Sequence, residues 1–338
     1  MIPYIFTVCL KSSFFCDHSR ILDKKEETRQ MPLWHTKFYN IGKRTFSSGK
    51  KKLRKILFKN YWTARFYIYL FRSLPARHET PLLIYQMGKV GSTTINKLLK
   101  TSQLNQPIYK IHVLSKDGIK NALQHYKQIN KINKQFDWER AQHVFESEIL
   151  RKEILKNSKT RNWRIITLTR EPIARNISSF FSRIDLYFPD FQRKISSGLI
   201  PVNDIIDIFL KEFNHNRPLE WYDIELKNVF SIDVFSSEFY QPEGYKIYKK
   251  GNIDLLLIKL ESLEKYAKKA FKEFLDIDII NIEDRNIGNQ KYYSDIYKKF
   301  KESIILPEKY IDKLYSSKYA KHFYSAEEIQ SFKMKWKR

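Results

Sequence analysis

The sequence predicts an α/β protein built on a mainly parallel sheet. Three stretches carry that expectation. Leu82 to Tyr85 is an apolar run of strand length that passes through two glycines into a helix with Ile95, Leu98 and Leu99 on one face. Arg164 to Thr169 is rich in β-branched residues and leads to Pro172, which suits the first turn of a helix. Leu255 to Lys259 is a third apolar run, followed by the amphipathic stretch Leu263 to Leu275. Strands that alternate with helices pair in parallel, and such sheets take ligands beyond the C-terminal ends of their strands.

The remaining elements follow in chain order. Gln106 to Val113 reads as the second strand, and Asp117 to Lys134 and Asp137 to Lys156 read as helices. Val202 to Phe213 carries apolar residues at helical spacing. No repeat or low-complexity linker divides the chain. Residues 81–338 are expected to form one catalytic domain, with residues 1–80 as a basic, aromatic extension.

The loop after the first strand, Gln86 to Thr94, is the first candidate site. Gly88 and Gly91 allow a tight turn and close approach of the backbone to an anion. Lys89 sets a full charge inside the loop, next to Val90. Ser92, Thr93 and Thr94 offer hydroxyls and can cap the helix. A nucleotide-triphosphatase loop needs Gly-Lys-Ser/Thr at its end, whereas here Ser92 follows Gly91 directly and the lysine comes earlier. That spacing suits metal-free anion transfer better than ATP hydrolysis. An ordinary glycine turn is the plain alternative.

The second candidate site lies at the end of the Arg164 to Thr169 strand. Arg170 closes the strand, and Ser178 follows about two helical turns later. A guanidinium fork and a hydroxyl placed this way can converge on one phosphate. Alternatively, the two are a surface arginine and an unrelated helix serine.

Together the two segments resemble the P-loop sulfotransferases. The resemblance implies a three-layer α/β sandwich and 3′-phosphoadenosine-5′-phosphosulfate as co-substrate, with no metal. It implies that Gly88, Lys89, Val90, Gly91, Ser92 and Thr93 hold the 5′-phosphosulfate, and that Arg170 and Ser178 hold the 3′-phosphate. A narrower resemblance runs from Pro81 to Trp336. Gln86 to Thr94, Glu220 to Phe235, Leu255 to Leu263, Gly288 to Lys301 and Leu314 to Ile329 are similar to the bacterial family of putative capsular polysaccharide synthesis proteins. That family's Asn-Lys-Trp-Tyr-Ser run corresponds to Gln290, Lys291, Tyr292, Tyr293 and Ser294, and departs from it at the first and third positions. The resemblance implies sulfuryl transfer to a hydroxyl of a capsular or other surface polysaccharide.

Such a transfer needs a base. His112, at the end of the second strand, is the first candidate, since an ordinary imidazole titrates near pH 6.5. Glu139 and Glu146 are the alternatives. Asp223 and Glu225 form a carboxylate pair for which a structural role is expected, with Trp221 and Tyr222 packed beside them. Arg285, Asn289 and Lys291 are further candidates for the 3′-phosphate.

Sixty-two Lys+Arg against 37 Asp+Glu give a net charge of +25, which points to an anionic partner. No zinc finger or RNA-recognition signature accompanies the charge, so nucleic acid is disfavoured. The two cysteines, Cys9 and Cys16, suit a reducing cytoplasm, and with His18 they fall short of a zinc site. Residues 2–10 are apolar but too short to span a bilayer. The basic and aromatic stretch 43–71 is a candidate contact with the inner face of the membrane, or an amphipathic helix packed on the domain. Two other classes stay open. One is a kinase or metal-dependent glycosyltransferase, for which Asp276-Ile277-Asp278 supplies the letters. The other is a non-catalytic glycan- or membrane-binding protein of the same fold.

Overall fold

Each parallel strand is followed by helix, which returns the chain to the same end of the sheet. β1 (Leu82–Tyr85), β2 (Ile108–Ile111), β3 (Trp163–Thr169) and β5 (Ile253–Lys259) run parallel, and β4 (Tyr245–Lys250) is antiparallel to β5. The order is β2-β1-β3-β5-β4. This computed structural model describes residues 52–337 apart from 79, 103, 105, 133–136, 158–159 and 280–290, with the side chains of 73–78 also left aside. The readings placed on Cys9, Cys16, His18, residues 2–10, Lys43, Arg44, Arg285, Asn289 and Gln290 lie outside the described residues.

β1, β3 and β5 are buried along nearly their whole length, so helices cover both faces of the sheet. The helices are α1 (Tyr61–His78), α2 (Ser92–Thr101), α3 (Lys116–Ile132), α4 (Gln142–Asn157), α5 (Pro172–Phe181), α6 (Phe191–Ser196), α7 (Val202–Glu212) and α8 (Arg217–Trp221). After β5 come α9 (Leu263–Leu275), α10 (Ser294–Ser303), α11 (Glu308–Tyr315), α12 (Lys318–Phe323) and α13 (Ala326–Trp336). A second apolar cluster joins α5 (Ile177, Phe180), α7 (Phe209), α10 (Phe300) and α11 (Leu314).

One departure from the sequence reading has a plain cause. β4 was not expected. Its Lys246, Lys249 and Lys250 dilute the apolar pattern, as suits an edge strand that must not recruit partners. The unit that holds the sheet spans Lys55–Arg338. Residues 58–72 pack on the sheet's helices: Phe58, Ala64 and Ile68 are buried, while Arg65 and Arg72 pair with Glu148 and Glu146 of α4, each at 2.8 Å. That pairing takes the buried Glu146, one of the alternative bases, into an ion pair with the half-buried Arg72. Asn60 caps α1, accepting from the Trp62 N–H at 2.9 Å.

The C-terminus closes onto the end of β5. Ser325 and Glu328 form a capping box at the start of α13. The Glu328 carboxylate also takes the buried Lys259 ammonium at 2.7 Å.

From β1 the chain turns to β2 on one side, and the crossover after β2 returns it to β3 on the other side. The sheet therefore changes direction between β1 and β3, the place where open parallel sheets bind ligands. The Gln86 to Thr94 loop and Arg170 both sit there.

Candidate anion-binding site

The loop's shape is held by main-chain contacts from α5 and the end of β3. Lys89 and Gly91 adopt left-handed backbone angles, with φ of 75° and 101°. Gly91 is required: a Cβ there would lie 2.7 Å from Leu260 Cδ1. Gly88 lies in the turn without a left-handed φ, and a Cβ on it would meet no described atom within 4 Å. The two glycines thus divide the tasks expected of both, and Lys89 takes the second strained position. A lysine at positive φ persists only where its surroundings impose it. Here Arg170 Nη1 donates to the Lys89 carbonyl oxygen at 2.9 Å, and Arg175 Nε donates to that of Gly88 at 3.2 Å.

Helix α2 begins at Ser92 with Gly91 at its N-cap and no side-chain cap. Ser92, Thr93 and Thr94 therefore do not cap it as expected, and the first N–H groups of the helix, with their positive dipole end, have no side-chain cap behind Val90 and Gly91.

Arg170 is fixed from behind. The Tyr319 hydroxyl donates to the Arg170 carbonyl oxygen at 2.6 Å and accepts from Thr169 Oγ1 at 2.5 Å. Glu171 caps α5 by accepting from the Ile173 and Ala174 N–H groups, each at 2.7 Å, and Tyr315 donates to it at 2.7 Å. Ser178 lies half-buried on the next turns of α5, and its hydroxyl makes no hydrogen bond among the described residues. The structure thus joins Arg170 to the first loop and leaves Ser178 along the helix from it.

Four cations meet at the loop: Lys89, Arg170, Arg175 and Lys291. Burial, then Lys291 alongside, then Arg170 and Arg175 bring the Lys89 ammonium down to about 7. Burial, followed by Arg183 and Arg217, brings Arg175 down to about 9. Among the described residues no carboxylate pairs with any of the four. Glu261, the nearby acid, instead accepts from the Glu171 N–H at 2.8 Å and from Tyr324 at 3.2 Å. Lys291 donates to the Tyr293 hydroxyl at 2.8 Å. Beneath the loop, the Gln86 side-chain amide is fully buried, and neither of its polar atoms has a partner among the described residues. Buried charge without counter-charge is costly, and an oxyanion bound in the loop would offset it.

His112 stands at the other flank. Its Nδ1–H donates to the Gln86 carbonyl oxygen at 2.9 Å, which leaves the lone pair on Nε2. Burial lowers its pKa to about 4, against the hydrogen bond to Gln86 and with Lys110, Arg175 and Arg217 adding, so the ring is neutral at pH 7. Its main-chain oxygen accepts from Trp221 Nε1 at 3.0 Å.

Sequence reasoning missed what holds this flank. Glu225 sits in a π-helical stretch, Tyr222–Lys227, that continues α8. Its Oε2 accepts from Tyr85 (2.6 Å) and from the N–H groups of Leu114 (2.7 Å) and Ser115 (2.8 Å). Its Oε1 accepts from Ser115 Oγ at 2.8 Å and faces Arg217 Nη2 at 3.5 Å. The expected carboxylate pair is therefore split, since Asp223 is on the surface with Lys318 at 2.5 Å. The strand-to-helix spacing gave no hint of Glu225's partners, which are distant in sequence. Asp276 and Asp278 both pair with Lys272, at 2.8 Å and 3.1 Å, at the exposed end of α9.

Fold and site define an α/β protein with a cationic glycine loop at the switch point of its sheet. Residues 195–325 match the model of a family described as putative capsular polysaccharide synthesis protein. The matched segment supplies Arg217, Glu225, Lys291 and Tyr319 to the site, while the loop and Arg170 precede it. No curated protein and no solved structure matches the chain. Among the described residues no helix is long and apolar enough to cross a membrane.

Proposed function

We propose that the chain transfers a sulfuryl group from 3′-phosphoadenosine-5′-phosphosulfate to a saccharide hydroxyl in the making of a surface polysaccharide. The observation that carries this reading is the set of four cations, without a carboxylate partner among the described residues, around a short glycine loop at the β1–β3 switch point. The open space at Gly88 and the unpartnered Gln86 amide fit a group lying against the loop backbone.

The nucleotide supplies an activated sulfuryl group on a good leaving phosphate. Lys89, Arg175 and the first amides of α2 are placed to stabilise charge developing on that phosphate. Arg170 with Ser178 fix the far end of the nucleotide and so its alignment, and Lys291 adds its charge alongside Lys89. His112 Nε2 takes the proton from the acceptor hydroxyl as its oxygen bonds to sulfur and the bond from sulfur to the phosphate oxygen breaks.

A kinase or glycosyltransferase is the second reading. It is weaker because the loop has no Lys-Ser/Thr pair at the helix start, and Asp276 and Asp278 are engaged with Lys272. Incubation with a radiolabelled sulfuryl donor and polysaccharide from capsule-forming cells tests the choice. Label is expected in the polysaccharide with chelator present. Label transferred only from ATP or a nucleotide sugar overturns the reading.

A further inference from the structure

Beyond the loop, on the flank of His112, lies a second group of basic side chains that the donor does not need. Arg183, in the turn after α5, donates from Nη2 to Ser179 Oγ at 2.8 Å, and its guanidinium carbon lies 5.5 Å from the centre of the Phe213 ring. No carboxylate pairs with it among the described residues. Arg217 opens α8, with 29% of its side chain exposed. Its one carboxylate neighbour, Glu225, lies 3.5 Å away and is already saturated by two main-chain N–H groups and two hydroxyls. Arg183 is tied to Ser179 on the helix that carries Arg175, and Arg217 opens the helix whose Trp221 holds the His112 main-chain oxygen, which places both beside the loop and its flank.

Aromatic rings connect this group to the proposed base. The turn at Ile184–Leu186 packs on α3, which carries Tyr126. Tyr126 meets His143 at 5.6 Å between ring centres, and His143 meets His112 at 5.2 Å. All three rings, like the two arginines, are partly open to solvent. The result is a partly exposed surface with two guanidinium groups and aromatic faces on the His112 flank of the loop. Guanidinium forks favour carboxylate and phosphate partners, and aromatic faces favour the apolar side of a sugar ring.

We infer that Arg183 and Arg217 form an acceptor subsite for a saccharide that carries its own oxyanion, a carboxylate or a phosphate, before it is modified. The inference rests on the transferase reading of the loop and names the substrate class of that same site. The sugar's anion seats on the two guanidinium groups and brings a neighbouring hydroxyl to His112. A neutral glycan offers neither arginine an oxyanion and binds weakly.

The test is calorimetry on the full chain at two salt concentrations, with and without adenosine 3′,5′-bisphosphate. The probes are maltohexaose, maltohexaose with a terminal phosphate, and a hexasaccharide of alternating glucuronic acid and N-acetylglucosamine. At least one anionic probe is expected to bind about tenfold or more tightly than the neutral one, with a preference that shrinks as salt rises. The two anionic arms separate a carboxylate from a phosphate source. Arg183→Gln, whose partners among the described residues are a serine hydroxyl and an aromatic ring, is expected to remove most of the preference while leaving adenosine 3′,5′-bisphosphate affinity within about twofold. Arg217→Gln repeats the test from the other side, with circular dichroism to confirm the fold. No preference for either anionic probe, or a preference that survives Arg183→Gln, overturns the inference. Failure to bind the bisphosphate while the anionic preference persists overturns the donor reading alone.

Discussion

The Arg170 guanidinium donates to the main-chain oxygen of Lys89 at 2.9 Å, so the end of β3 clamps the loop that follows β1. The contact makes Arg170 part of the loop's architecture as well as a cation beside it. Arg170→Ala is therefore expected to weaken both adenosine 3′,5′-bisphosphate and adenosine 5′-phosphate, by about tenfold or more. Ser178→Ala, on the outer face of α5, is expected to weaken only the bisphosphate. Calorimetry with the two nucleotides checks this, and equal losses for Ser178→Ala would remove it from the 3′-phosphate site.

The two loop glycines separate folding from binding. Gly91→Ala meets Leu260 and a left-handed backbone, and is expected to cost at least about 1–3 kcal/mol of stability in denaturant titration. Gly88→Ala meets no protein atom and is expected to fold with an unchanged midpoint, yet to bind nucleotide poorly because the methyl occupies the space left for it. Unimpaired nucleotide binding by Gly88→Ala would place the ligand elsewhere.

The site sets a pH window. With Lys89 near 7 and His112 near 4, kcat/KM is expected to rise through about pH 4 as His112 loses its proton. It falls above about pH 7 as Lys89 loses its own. An anion in the loop raises the Lys89 pKa, so binding takes up a proton, and affinity falls by up to about tenfold per pH unit above 7. Lys89→Arg, which does not titrate in this range, is expected to move the alkaline limb upward. A limb that stays in place would assign it to another group.

His112→Ala is expected to slow transfer by about 10²–10⁴-fold while leaving nucleotide affinity nearly intact. A stopped-flow comparison of transfer and binding reads both. Retained transfer would return attention to carboxylates such as Glu139.

Glu225 makes a stability prediction that depends on which oxygen does what. Glu225→Ala leaves Tyr85 and two buried N–H groups unpaired, a loss on the order of 3–5 kcal/mol. Glu225→Gln is expected to lose much less, because one amide oxygen can still serve the three donors that share Oε2, and the amide nitrogen can donate to Ser115 Oγ. Equal losses for the two variants, measured by urea titration, would contradict the geometry.

Local pattern made much of the fold legible. Leu82 to Tyr85, Arg164 to Thr169 and the helix Leu263–Leu275 announce themselves by apolar period alone, and Pro172 marks its helix start. β4 was hidden because an edge strand rich in lysine has no buried alternation to read. At the site, the glycine loop and Arg170 were legible because a strand end followed by small or basic residues has local meaning. Glu225, Tyr319 and Arg175 were not, since each acts through partners about 80 to 150 residues away, across the sheet. The shared position of Lys89 and Lys291 likewise depends on tertiary packing.

The most direct measurement is calorimetric titration of the full chain with adenosine 3′,5′-bisphosphate, ATP and a nucleotide sugar, in chelator, for the native protein and for Lys89→Ala with Lys291→Ala. The account predicts that the bisphosphate binds most tightly, without divalent metal, and that the double variant loses at least about a hundredfold in affinity. Tighter binding of ATP or the nucleotide sugar, or an unchanged bisphosphate affinity in the variant, would contradict it.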